Sequence, residues 1–186
     1  MLNYQSSIKE DKSYSGLNIK EISPIMKLNL RGKNRDFLST IGKNINMILP
    51  IEANTSSSSD KYTSMWLSPD EWMVVSNEVI NKENNNYEIE SILFNKISKT
   101  NLGAVTDVSD QFVLINLDGE NVFNLLSTGC PYNFNNFKKK GSVVQTILAQ
   151  TDVILYLNDT NNVNLFVRRS FSEHLMSWIK DAASRL

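Results

Sequence analysis

The sequence predicts an α+β fold of antiparallel sheets with packed helices, and three observations carry that expectation. Near the C-terminus, residues 143–149, 153–157 and 163–168 are three β-rich runs separated by short turns. Turns of that length suit an antiparallel meander, because parallel pairing would need a crossover of a dozen or more residues. Helical spacing appears separately, in Ile89, Ile92, Leu93 and Ile97, in Val122, Leu125 and Leu126, and in Phe171, Leu175, Ile179 and Ala182 or Ala183. Residues 103–131 then read strand, turn, strand, helix, stop, with every local signal in agreement.

Taken in order, residues 1–23 are polar without a clear period and read as an arm that orders only against a partner. Residues 24–186 are expected to form a single α+β domain, or two fused halves of about 24–102 and 103–186. Lys27-Leu28-Asn29-Leu30-Arg31 alternates as a strand does and stops at Gly32. Asp36 is placed as the cap of a short helix carrying Phe37, Leu38, Ile41 and Ile45, with Pro50 closing the segment. Residues 54–60 read as a Ser-rich loop. Residues 61–76 read as two short strands around a Ser68-Pro69-Asp70 turn and hold two of the three tryptophans. Trp66 and Trp72 have two readings: sheet core, or a partner-binding edge.

Asn84-Asn85-Asn86 reads as a polar loop and cap before a helix of about 87–98. Residues 104–108 and 112–117 are the strands of the organising stretch, with Asp107, Ser109 and Asp110 in the turn between them. Asp118 is placed as the helix cap, and Gly129 with Pro131 as the stop. Residues 132–140 form a loop ending in three lysines, read as solvated. Turns are placed at Gln150-Thr151-Asp152 and at 158–162, and the last helix begins at about Ser172.

Composition narrows the function classes. The chain has 186 residues, 41% of them hydrophobic, with 19 Lys+Arg against 20 Asp+Glu. That balance gives no electrostatic basis for a nucleic-acid partner. One cysteine excludes an internal disulfide, and one Cys with one His is too little for a thiolate metal cluster. No apolar run approaches the roughly 20 residues that span a bilayer, and no signal peptide is visible, so no membrane partner is expected and the cytoplasm is the expected location. Cys130 follows a helix C-terminus, where the dipole disfavours thiolate, and reads as inert. His174 reads as a surface or interface histidine. Asp107 and Asp110 beside a turn read as holders of backbone N–H groups. Arg168 and Arg169 are adjacent and suit carboxylate pairing, inside the chain or across an interface. The residues alone show no catalytic constellation, no metal set and no Gly-rich phosphate loop.

Five stretches in order are nevertheless distinctive: Trp66-Leu67-Ser68-Pro69-Asp70-Glu71-Trp72, Val105-Thr106-Asp107-Val108-Ser109-Asp110-Gln111, Gly129-Cys130-Pro131, Gln145-Thr146-Ile147-Leu148-Ala149-Gln150, and Val167-Arg168-Arg169-Ser170-Phe171. In these the chain resembles the gamma subunit of heterotetrameric sarcosine oxidase, over about residues 62–180. The resemblance implies a fold like that of the folate-binding aminomethyltransferase, the T-protein of glycine cleavage. It implies a bacterial complex that oxidatively demethylates sarcosine to glycine, with hydrogen peroxide and methylenetetrahydrofolate as products. It further implies that FAD, FMN, NAD and tetrahydrofolate belong to the other subunits, that this chain binds no cofactor and performs no catalysis, and that its chief partner is the large alpha subunit. Trp66, Trp72, Arg168 and Arg169 are the interface candidates, at least one of the two tryptophans being expected to meet that subunit. T-proteins carry a Gly-rich turn and an acidic pair where this chain has Gln150-Thr151-Asp152. The glycines are missing here and one acid remains. A free-standing folate-dependent aminomethyl or tRNA-modifying protein of the same fold is the alternative.

Overall fold

The computed structural model of the protein describes residues 6–8, 11–22, 24–82 and 86–186. It divides into two compact units, one built from Met1–Ser23 with Asp110–Leu186 and the other from Pro24–Ser109. The boundary falls in the Asp107–Asp110 turn, a few residues beyond the expected 102/103.

The Pro24–Ser109 unit holds strands β3 (Lys27–Arg31), β4 (Ser56–Ser58), β5 (Tyr62–Ser68), β6 (Glu71–Ser76) and β7 (Ala104–Asp107) and helices α1 (Arg35–Ile45) and α2 (Glu88–Leu93). Its five strands lie in the order β4-β5-β6-β3-β7, every neighbour antiparallel. Alternation puts Leu28 and Leu30, Trp72 and Val74, and Val105 on one face, and α1 covers it with Phe37, Ile41 and Ile45. Ile89, Leu93 and Ile97 of α2 and the π-helical turn Phe94–Ser98 complete this core.

The second unit holds β1 (Lys12–Tyr14), β2 (Leu17–Glu21), β8 (Phe112–Asp118), β9 (Val143–Leu148), β10 (Thr151–Asp159) and β11 (Asn162–Arg168), with α3 (Val122–Ser127) and α4 (Arg169–Ala183). The strand order is β1-β2-β8-β11-β10-β9, again antiparallel throughout. The expected meander is β9-β10-β11. Its inward residues Val153, Leu155, Val163, Leu165 and Val167 pack with Leu125 and Leu126 of α3 and Leu175, Met176 and Ile179 of α4.

Several local expectations are corrected. Residues 12–21, assigned to the polar arm, form β1 and β2, with β1 paired to β2 and β2 paired to β8. Only Leu17 and Ile19 alternate there, too short a signal to read, yet both are buried; of the rest of the arm, residues 1–5, 9, 10 and 23 lie outside the described residues. The Ser-rich loop contains edge strand β4, whose three serines carry no hydrophobic pattern. The cap of α1 is Asn34, whose Oδ1 accepts from the Phe37 N–H at 2.6 Å, while Asp36 sits in the first turn. Asp118 ends β8 and accepts from Asn162 Nδ2 at 2.8 Å, and Asn121 occupies the cap position of α3. Tyr87 caps α2; of the expected Asn84-Asn85-Asn86 loop, the first two residues lie outside the described residues. The β9–β10 turn is Ala149-Gln150, with Thr151 and Asp152 already in β10. Phe171 is exposed, and Ser172 takes its place on the buried face of α4, which starts at Arg169.

Candidate functional site

The interface candidates fall into two pairs. Trp66 and Trp72 are register partners in the β5–β6 hairpin, so both side chains leave the same face. The register shifts between Trp66 and Ser68, beside the turn that joins the two strands. Trp72 is buried at 2%, lies 5.9 Å from the Phe37 ring, and donates its indole Nε1–H to the Pro50 carbonyl at 2.7 Å. Trp66 packs on the rim of that core and keeps part of its surface exposed.

Arg168 and Arg169 part company at the junction of strand and helix. Arg169 is held inside its unit: its N–H donates to Gln111 O at 2.8 Å and its Nε to Asp110 O at 3.2 Å. Arg168 is exposed at the end of β11, opposite Phe112 of β8. With Phe112, Asp152 and Ile147 it borders a shallow cleft floored by Phe166 and Ile154. A guanidinium placed there can take a carboxylate in bidentate fashion.

The groups with chemical potential are engaged locally. Asp107 accepts from Lys82 Nζ at 2.6 Å, from the Ser109 N–H at 2.9 Å and from Ser109 Oγ at 2.5 Å. Burial pushes its carboxyl upward, but the bonds from Lys82 and Ser109 together hold it below its ordinary range. This is the turn-holding role read from the sequence. Cys130 is buried, with Sγ 3.5 Å from Thr146 Oγ1. His174 is exposed on α4. Among the described residues no group of three or more His, Cys, Asp or Glu could hold a metal ion. Lys27 is buried at 1%, and its Nζ donates to the carbonyls of Ile25 and Ser109, both at 3.2 Å. No helix among the described residues is long and apolar enough to cross a membrane.

The sequence reading missed the segment after α1. Asn46 closes that helix in the left-handed conformation, and the chain turns back so that the Met47 N–H donates to Gly42 O. Leu49 and Pro50 then go inward, and Ile48 and Ile51 stand 86% and 77% exposed. Between this segment and α1 runs a groove of about 550 Å³. The available signal was an Ile-Leu-Pro-Ile run beyond the helix end, which helical spacing does not use.

Comparison with known proteins gives these features a context. The model of the "Sarcosine oxidase, gamma subunit family" matches residues 31–185. Among solved structures, the fold is similar to a chain of heterotetrameric sarcosine oxidase from Corynebacterium sp. U-96, solved with pyrrole 2-carboxylate: TM-score 0.80, 22% identity, covering 91% of this chain and 84% of that one. It is also similar to aminomethyltransferase T of the glycine cleavage system from Bartonella henselae: TM-score 0.60, 15% identity, covering 88% of this chain and 45% of that one. No curated protein sequence matches the chain. The two structural likenesses show the α+β fold anticipated from the sequence, and the family match, which covers most of the chain, decides the membership: this chain belongs to the sarcosine oxidase gamma subunit family.

Proposed function

We propose that this chain is a non-catalytic subunit of a four-subunit sarcosine oxidase, bound chiefly to the large alpha subunit. The complex would oxidise sarcosine at its N-methyl group to give glycine. Dioxygen would take up the two electrons as hydrogen peroxide, the flavins held by the other subunits supplying the redox chemistry, and the one-carbon unit would leave as methylenetetrahydrofolate. FAD, FMN, NAD and tetrahydrofolate are assigned to the other subunits, and the complex to the bacterial cytoplasm. The observation that carries the reading is the family match over residues 31–185. The use of Asp107, Cys130 and Arg169 in local contacts is consistent with a chain kept for its surface. On that surface, Trp66 and Arg168 are proposed as interface residues, with Trp72 supporting from the core. A free-standing aminomethyltransferase is less well supported, because the family model that matches is that of the sarcosine oxidase gamma subunit.

The test is the purified chain on its own. It is expected to show no stoichiometric flavin absorbance and no sarcosine-dependent peroxide formation. Either signal from the isolated chain would overturn the non-catalytic assignment.

A further inference from the structure

We infer that the groove between α1 and the 47–51 segment is a protein-docking surface, and that its occupant is an aliphatic segment flanked by carboxylates, on a companion chain of the oxidase complex. The inference rests on the subunit reading above and gives it a location that none of the four interface candidates supplies. Ile48 and Ile51 project on either side of the buried pair Leu49 and Pro50, at 86% and 77% exposure. Isolated exposed aliphatics are ordinary, but two at the lip of one groove of about 550 Å³, with Leu38 and Met47 in its lining, form a continuous apolar patch.

The segment is held in place. Trp72, from the core, donates to the Pro50 carbonyl at 2.7 Å, and the Met47 N–H is bound to Gly42 O at 3.2 Å. A side chain at Gly42 would come within 2.8 Å of the Met47 carbonyl, so the glycine is what lets the chain turn back this tightly. The loop therefore presents its two isoleucines on a fixed backbone, and little ordering entropy is lost on binding.

Charge selects the partner. Arg35 and Lys43 line the groove, both are exposed, and neither has a partner among the described residues. Among the described residues no acidic one lines it, although Asp36 and Glu52 follow lining residues in the chain. An apolar floor with two unpaired cations on its rim fits a segment that buries an aliphatic side chain and sets Asp or Glu beside it.

The experiment measures the affinity of the full chain for the sarcosine oxidase subunits assembled without it. Ile48→Asp with Ile51→Asp is expected to weaken binding at least about thirtyfold, as loss of a desolvated anchor does. Its melting temperature is expected to stay unchanged, because both side chains are in solvent. Arg35→Glu with Lys43→Glu is expected to weaken binding and to flatten its salt dependence. A photocrosslinking residue at position 48 is expected to label a companion-subunit peptide containing Asp or Glu. If the wild-type chain does not bind those subunits, the subunit reading falls and this inference with it. If the wild type binds and both double variants bind equally well, the subunit reading stands and this surface is wrong. A wild-type dimer that the isoleucine substitutions make monomeric, with subunit binding intact, would assign the groove to a second copy and overturn the inference.

Discussion

The indole Nε1 of Trp72 donates a 2.7 Å hydrogen bond to the carbonyl of Pro50, joining the middle strand of one sheet to the loop that displays Ile48 and Ile51. Trp72 is thus both a core residue and the fixture of an exposed segment. Its register partner Trp66 faces the same side but reaches the rim. The two tryptophans are therefore expected to respond differently to truncation. Trp72→Ala should cost about 3–5 kcal/mol of folding stability in urea titration. Trp72→Phe, which keeps most of the packing but strands the Pro50 carbonyl, should cost about 1–3 kcal/mol. Trp66→Ala should cost less stability than Trp72→Ala but weaken pull-down of the companion subunits. Equal stability losses for the two alanine variants, with association unaffected in both, would make both tryptophans core only.

The β9–β10 hairpin turns through Ala149 and Gln150, with φ of 48° and 64°. Two residues with positive φ between paired strands are the pattern of a type I′ turn, which favours Asn-Gly. Ala149→Asn with Gln150→Gly is expected to raise stability by about 1 kcal/mol, read as a shift of the urea midpoint. An unchanged or lower midpoint would show that the turn carries no releasable strain.

Much of the architecture was legible because several elements carry long, agreeing signals. The strand Lys27–Arg31 alternates over its whole length, and the three C-terminal runs are rich in β-branched residues. The missed elements lack such signals. Ser56–Ser58 has no apolar residue, and Leu17–Glu21 has only two inward positions. Caps were misplaced at Asp36 and Asp118 because several polar residues near a helix start can cap, and backbone geometry chooses among them. The interface candidates were chosen for residue type. Type alone does not separate a buried Trp72 from a rim Trp66, or a stapled Arg169 from an exposed Arg168. The exposed isoleucines went unread because aliphatic residues next to a proline look like core.

Asp107 ties the turn that closes its unit to Lys82 and Ser109. Its carboxyl is held below its ordinary range in the folded chain, so it contributes stability that is present above the unfolded value of about 3.9 and is lost as pH falls through the folded value. Asp107→Asn should lower the melting temperature at neutral pH. The gap between wild type and variant should narrow below about pH 4. A gap constant across that range would remove Asp107 from the acid response.

Cys130 lies three residues beyond the end of α3, buried against Thr146. Cys130→Ser is expected to leave assembly and turnover of the complex near wild type, because the thiol is buried beside the Thr146 hydroxyl. A large loss of turnover in an intact assembly would give the thiol a chemical role.

The most direct measurement is to tag this chain in its source cells, purify what it holds, identify the companions by mass spectrometry and assay the product with sarcosine. The chain is expected to bring down the other sarcosine oxidase subunits in equal amounts, in a complex that forms hydrogen peroxide from sarcosine while the chain alone forms none. Recovery of the chain by itself from cells that contain those subunits, or peroxide formation by the isolated chain, would contradict the account.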